Sequence, residues 1–238
     1  MSQIPLFIPF LFICVTVLAL AIYYQAFQRS TKILVLIASW FLIQAVLALL
    51  GFYHADKGTL PRFLLLILPP ILFILLVLLK GGGKRNYRPS LKWLTLFHIL
   101  RIPVELVLFC LFVYHKLPRE MTFEGKNFDI LAGLTAPFVF YYGFVKERLS
   151  LKVIIAWNIV GLILLINIVL IAFLSMPTVF QKFGAGQPNI AFFYFPFIWL
   201  PCGLVPMVIY AHLVTIRNLI FTGRPDINGA KSYSEIKG

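Results

Sequence analysis

Acidic side chains are scarce in this chain: eight aspartates and glutamates in 238 residues, against twenty-one lysines and arginines. Charged residues of both signs make up only 12% of the sequence, about half the share usual in soluble domains. That excludes a water-soluble fold with a charged surface. Cysteine is nearly as sparse, and Cys14, Cys110 and Cys202 all sit inside apolar runs, where a thiol behaves as a small hydrophobe and no disulfide framework can be read. The four histidines, His54, His98, His115 and His212, form neither H-E-x-x-H nor repeated histidine boxes, which removes zinc-peptidase and di-iron chemistry. No lysine lies between Ile190 and Phe221, so a retinal Schiff base in the last helix is ruled out. The receptor signature N-P-x-x-Y is not matched by Val205 to Tyr210, and no G-x-S-x-G marks a serine nucleophile.

What the chain has in abundance is hydrocarbon. Hydrophobic residues account for 61% of it and the mean hydropathy is +0.95, values of a polytopic membrane protein. Seven apolar runs reach or approach the roughly 20 residues that a helix needs to cross about 30 Å of hydrocarbon: Pro5–Phe27, Lys32–Tyr53, Arg62–Lys80, Leu91–His115, Phe128–Val145, Leu151–Leu174 and Ile190–Phe221. The sequence thus predicts an all-α bundle of seven transmembrane helices, with residues 1–221 as a single membrane domain and 222–238 as a short polar cytoplasmic tail. The fifth run is the weakest, because Gly133, Thr135 and Pro137 interrupt it; were it re-entrant, the topology after it would reverse. Ala19-Leu20-Ala21 resembles a signal cleavage site, but Met1 to Pro5 carries no basic side chain, so the first run is expected to be a retained helix.

Loop charge orients the bundle. With the amino terminus outside and seven crossings, the cytoplasmic segments carry fourteen lysines and arginines and the outer segments six, Arg101 being left within the membrane. This is the asymmetry of the positive-inside rule. The formal charge of +13 is therefore read as topology and attraction to anionic lipid headgroups, not as a nucleic-acid surface. The expected location is the plasma membrane, the inner membrane of a bacterium, with multiple crossings.

The fourth run carries the ionisable residues that are hardest to explain. At about 100° per residue, His98, Arg101 and Glu105 project within about 60° of one another. A charge near the bilayer centre costs roughly 2.5 to 3.5 kcal/mol even on insertion scales. Arg101 and Glu105 stand four residues apart, and an intrahelical ion pair is the expected way to neutralise both. With each helix centred on the midplane, the pair lies near the centre and His98 about 7 Å to the cytoplasmic side. His98 is then level with Asn158 on the sixth run, with Gln44 near the centre and His212 several Å further toward the cytoplasm. Prolines at 69, 70, 103, 137, 196, 201 and 206 fall near the middle of runs three, four, five and seven, where they kink helices and free carbonyls.

Two further segments stand out. Trp199, Cys202, Pro206 and Tyr210 share one face within about 80°, while His212 points about 160° away from Tyr210; helix packing with Tyr210 as an interfacial anchor is expected, and an aromatic pocket wall is the alternative. The outer loop before run five concentrates Glu120, Glu124 and Asp129. Asp129 at this outer mouth could meet a substrate or cation, but capping of the following helix by Asp129 or Asn127 is the expected role.

Three function classes remain. In a carrier or binding protein, Arg101 would hold an anionic or carbonyl-bearing ligand, Glu105 and His98 would exchange protons, and Gln44, Asn158 and His212 would complete the site. In a membrane-embedded enzyme or redox protein acting on a lipid-like or quinone substrate, His98 would act as acid or base, or pair with His212 as axial haem ligands. In a structural or assembly protein, the Arg101–Glu105 pair would only lock its helix. The first class is preferred because no nucleophile, metal box or phosphate loop accompanies the triad; no catalytic residue is assigned and no metal or cofactor is expected outside the haem alternative. The expected partners are the bilayer with its anionic cytoplasmic headgroups and a small or lipid-like ligand, and no nucleic acid.

Overall fold

Long stretches of leucine, isoleucine, valine and phenylalanine leave the backbone in hydrocarbon no polar partner but itself, and that selects helix. The computed structural model describes residues 4–53, 60–79 and 89–222; the expectations that fall on His54, Lys57, residues 80–88 and the tail from 223 onward lie outside the described residues. It is all-helical, with 74% helix and no strand among the described residues. Helix α1 spans Phe7–Ala26, α2 Thr31–Leu49 and α3 Leu60–Leu79. Helix α4 (Leu91–Phe97), a 3-10 turn (His98–Leu100) and α5 (Arg101–Val113) form one continuous run. Helix α6 (Ile130–Val139) continues as a π-helical segment, Phe140–Val145. Helix α7 covers Leu151–Leu174, and a second π-helical segment, Leu200–Leu204, leads into α8, Val205–Thr222. Six helical stretches among the described residues are long and apolar enough to cross a membrane, and Ile130–Val145 is a shorter apolar helix.

Local chemistry explains where these helices stop and bend. Gly51, with φ of 75°, ends α2: its N–H bonds to the Ala48 carbonyl and that of Phe52 to Leu47, the paired bonds that close a helix through a left-handed residue. In the fourth run Pro103 cannot bond to the Ile99 carbonyl, and the helix tightens to 3-10 geometry at His98–Leu100, just before it. The last helix corrects the sequence reading. It begins at Leu200 and not at Ile190; Ala191–Phe193 is a separate 3-10 turn, and Pro196 precedes the helix. Proline lacks the N–H and crowds the preceding turn inside a helix, whereas Pro201 sits in the first turn, where a missing N–H costs nothing.

The run α4–α5 and helix α8 form the centre of the bundle. Half of the α8 span is buried against 17% of the α3 span. Helix α1 packs along α4 and α5, α7 along α8, and α6 against the His98–Leu100 turn, while α2 and α3 cover the start of α8. Between α5 and α6 the chain folds back through a 3-10 turn, Arg119–Met121, against α7. Met121, Thr122 and Asn127 are buried there, and the Asn167 amide donates to the Lys126 carbonyl at 2.8 Å. A Cβ on Gly125 would lie 2.2 Å from the Arg119 carbonyl oxygen and 2.7 Å from the Glu120 Cα. Because both are backbone atoms, Gly125→Ala is expected to displace this loop and to lower stability by about 1–3 kcal/mol, read as a fall in Tm in detergent; an unchanged Tm would show the loop free to relax.

Candidate functional site

Arg101 opens α5 just after the 3-10 turn, and its side chain is buried against α6 and α7. Its ion pair is not with Glu105, as sequence spacing suggested, but with Asp129: Nε and Oδ2 lie 3.2 Å apart, with side chains only 4% and 7% exposed. No hydrogen bond joins the two atoms, so the contact is Coulombic. Arg101 Nη2 donates to the Gly161 carbonyl at 3.4 Å. Two causes work against the intrahelical pair. Arginine preceding glutamate is the weaker order for an i, i+4 pair, and Gly133 lets α6 approach so closely that a Cβ there would lie 3.2 Å from the Arg101 Cβ.

Glu105 is held by a residue that sequence reasoning did not rank as part of the site. The Asn127 amide nitrogen lies 2.8 and 2.7 Å from the two Glu105 carboxylate oxygens and 3.0 Å from the Met121 carbonyl oxygen. The Asn127 Oδ1 accepts the Asp129 backbone N–H at 3.0 Å, an Asx turn at the start of α6. Asp129 itself makes no side-chain capping bond; the expected cap is replaced by the pairing with Arg101. The one signal in the sequence was the odd composition of this outer loop.

The histidines come together. His98 and His212 stack with ring centroids 4.0 Å apart at 22°, and Trp157 meets His98 edge-on at 5.4 Å. The depth reading had set the two rings several Å apart because it centred every run on the midplane, a condition that the packed helices need not obey. Asn158 donates to the Ile154 carbonyl at 2.9 Å and turns its oxygen to His212 Nδ1, also at 2.9 Å. The proton of a neutral His212 is thereby assigned to Nδ1, leaving Nε2 as an acceptor. Gly161 makes the packing feasible, since a Cβ there would lie 2.6 Å from His212 Cε1. Parallel rings at van der Waals distance cannot ligate one iron from opposite faces of a porphyrin, so this arrangement does not fit haem. No group of three or more metal-ligating side chains occurs among the described residues.

Several buried atoms of this cluster have no hydrogen-bond partner: both ring nitrogens of His98, His212 Nε2, Arg101 Nη1 and Asp129 Oδ1. Unmet polar capacity in a membrane interior is costly. Gln44 is not among them. It accepts from the Tyr53 hydroxyl at 2.6 Å, beside a separate apolar cluster around Phe63, Met176 and Ile198.

The space for a ligand lies elsewhere. A cleft of about 640 Å³ opens between α1, α2, α3 and α8. Cys202, Pro206 and Tyr210 line it, so three residues of the α8 stripe face a cavity, while Trp199 packs against Phe41 and Phe195. None of the charged cluster lines the cleft. Tyr23 stands between the two sites: its hydroxyl donates to the Met207 carbonyl, and its ring lies 6.5 Å from Tyr210 and 4.8 Å from Phe97, next to His98.

A family model described as a domain of unknown function, DUF8737, matches residues 61–220. That range includes the whole charged cluster and the α3 and α8 walls of the cleft. No curated protein matches the chain. No solved structure matches it.

The Arg101–Asp129 contact yields a sharp expectation. Asp129→Leu leaves a buried guanidinium without its counter-ion and should lower stability by about 3–5 kcal/mol, whereas the double variant Arg101→Met/Asp129→Leu should be close to wild type. In unfolding titrations in detergent, the coupling energy of this pair should exceed that of Arg101 with Glu105; the reverse order would sink the assignment.

Proposed function

The chain belongs to the DUF8737 family, whose description carries no activity, and from the geometry we propose that it is a seven-crossing membrane protein that binds or carries a small lipid-like ligand. The single observation behind this is the cleft: about 640 Å³ falls within the roughly 300–1,000 Å³ of ligand pockets, its walls are mostly apolar, and helices of membrane-crossing length form them. The charged cluster on the other face of α8 serves as the polar core that such a carrier needs, with His98, Glu105, Asp129 and His212 as the groups able to exchange protons, Arg101 as the fixed cation beside Asp129 and Asn158 orienting His212. Gln44 contributes to the packing of α2 and not to proton exchange.

Loop charge supports the seventh crossing and the orientation. With Ile130–Val145 crossing, fourteen basic residues lie on one side and six on the other; without it the split is twelve to eight, and the positive-inside asymmetry largely disappears. Sixteen helical residues span about 24 Å, and Lys126 and Lys146 flank the segment, placed to snorkel toward the headgroups where the bilayer thins. The carboxy terminus then lies in the cytoplasm of a bacterial inner membrane.

Both parts are testable. In a cysteine-free background, Glu147→Cys should react with a membrane-impermeant maleimide only from the cytoplasmic face and Glu124→Cys only from the outer face; labelling of both from one side shows that Ile130–Val145 does not cross. Mass spectrometry of the detergent-purified protein should find a co-purifying apolar molecule, and Val77→Trp, which fills the cleft, should lower its amount at least about tenfold. An empty wild-type protein counts against ligand binding in the cleft.

A further inference from the structure

The cleft has two unlike ends. Its deep end is formed by Trp40, Phe41, Pro69, Pro70, Cys202 and Gly203, and its mouth by Phe27, Ile33, Leu78, Pro89, Arg217 and Phe221. Every mouth residue lies at the same end of its helix or at the boundary of the same loop, so the mouth opens at one membrane face. Under the orientation proposed above, that face is cytoplasmic. The described residues around the mouth carry basic side chains: Arg29 precedes α2, Lys32 lies in its first turn, and Arg217 lines the wall. In the sequence, residues 80–88 between Leu79 and Pro89 add Lys80, Lys84, Arg85 and Arg88. No aspartate or glutamate occurs in residues 27–33, 78–90 or 214–222. Among the described residues Arg217 forms no ion pair within 4 Å.

From this we propose that the cleft holds one anionic glycerophospholipid of the surrounding bilayer, with an acyl chain between α2, α3 and α8 and the phosphate at Arg217. The inference rests on the reading of the cleft as a lipid-like ligand site and names the ligand class. The wall is long enough for it. From Arg217 to Cys202 it runs fifteen residues, about 22 Å, more than the roughly 15 Å of hydrocarbon that one leaflet contributes. Chemistry agrees as well. Arginine presents a planar fork matched to phosphate oxygens, and its aliphatic stem can lie along the apolar wall while the charge stays at headgroup level. The ring of Tyr210, two turns deeper, closes the wall below it. A second copy of the chain would have to insert a side chain or helix between α2, α3 and α8. A flexible acyl chain fills that space without that demand.

The test uses the full chain reconstituted into vesicles of equal phosphatidylglycerol and phosphatidylcholine, re-extracted in mild detergent and weighed by native mass spectrometry. Wild type should retain one phospholipid, phosphatidylglycerol over phosphatidylcholine by about fivefold, the preference expected of one basic residue near the surface. Arg217→Gln should retain one lipid with the preference lost, Arg217→Lys should keep most of it, and raising the salt should weaken it in wild type. If wild type takes both lipids equally, or Arg217→Gln keeps the preference, the headgroup assignment is overturned while lipid binding in the cleft stands. If Val77→Trp retains as much lipid as wild type, the cleft itself is not the site. A dimer mass without lipid would assign the cleft to a second copy and overturn both. Should Arg217→Gln fail to fold, the lysine variant and the salt series decide the question.

Discussion

A guanidinium inside hydrocarbon must find a counter-ion, and much of this bundle is organised around the one Arg101 finds. Asp129 stands at the start of α6, so its pairing with Arg101 ties the fifth apolar segment to the fourth. The loop in between is drawn in with it: Asn127 binds Glu105 with its amide and the Asp129 backbone with its oxygen. Two glycines permit the approach, Gly133 on α6 and Gly161 on α7. A single electrostatic requirement thus positions α5, α6 and α7, and with them the loop between α5 and α6. Removing one partner of such a pair is far more costly than removing both, which gives the arrangement its specificity.

Helix α8 separates two environments. One of its faces carries His212 against His98, Trp157 and Asn158; the other carries Pro206, Tyr210 and Arg217 along the cleft. Helical geometry alone sets Tyr210 and His212 on roughly opposite sides. The two environments thus share one helix, with the His98–His212 stack on one side of it and the cleft on the other. The 3-10 turn at His98–Leu100 stands at that junction, and tightened turns in the middle of a helix are common at hinges.

The prolines share a logic that is visible only in three dimensions. Pro69 and Pro70 stay within α3 and line the cleft. Pro103 tightens the fourth run beside the charged cluster, and Pro137 precedes the π-helical end of α6. Pro196, by contrast, precedes the last helix, and Pro201 sits in its first turn. The ten residues from Ile190 to Trp199 then fold over the bundle, with Phe192, Phe193 and Ile198 buried.

Sequence alone determined the class of protein, the approximate positions of the long apolar helices other than the start of the last one, and the stripe of His98, Arg101 and Glu105, because composition, run length and the 100° helical step are local properties. It also determined the charge asymmetry from which orientation is argued. Tertiary structure alone decided who meets whom. Arg101 took Asp129, twenty-eight residues away, over the nearer Glu105; Glu105 took Asn127; His212 stacked on His98 when its depth had placed it apart; and Gln44 turned to Tyr53. Each of these outcomes depends on how closely two helices approach, and that distance is set by glycines and by the side chains of both partners. No periodicity within one segment carries that information.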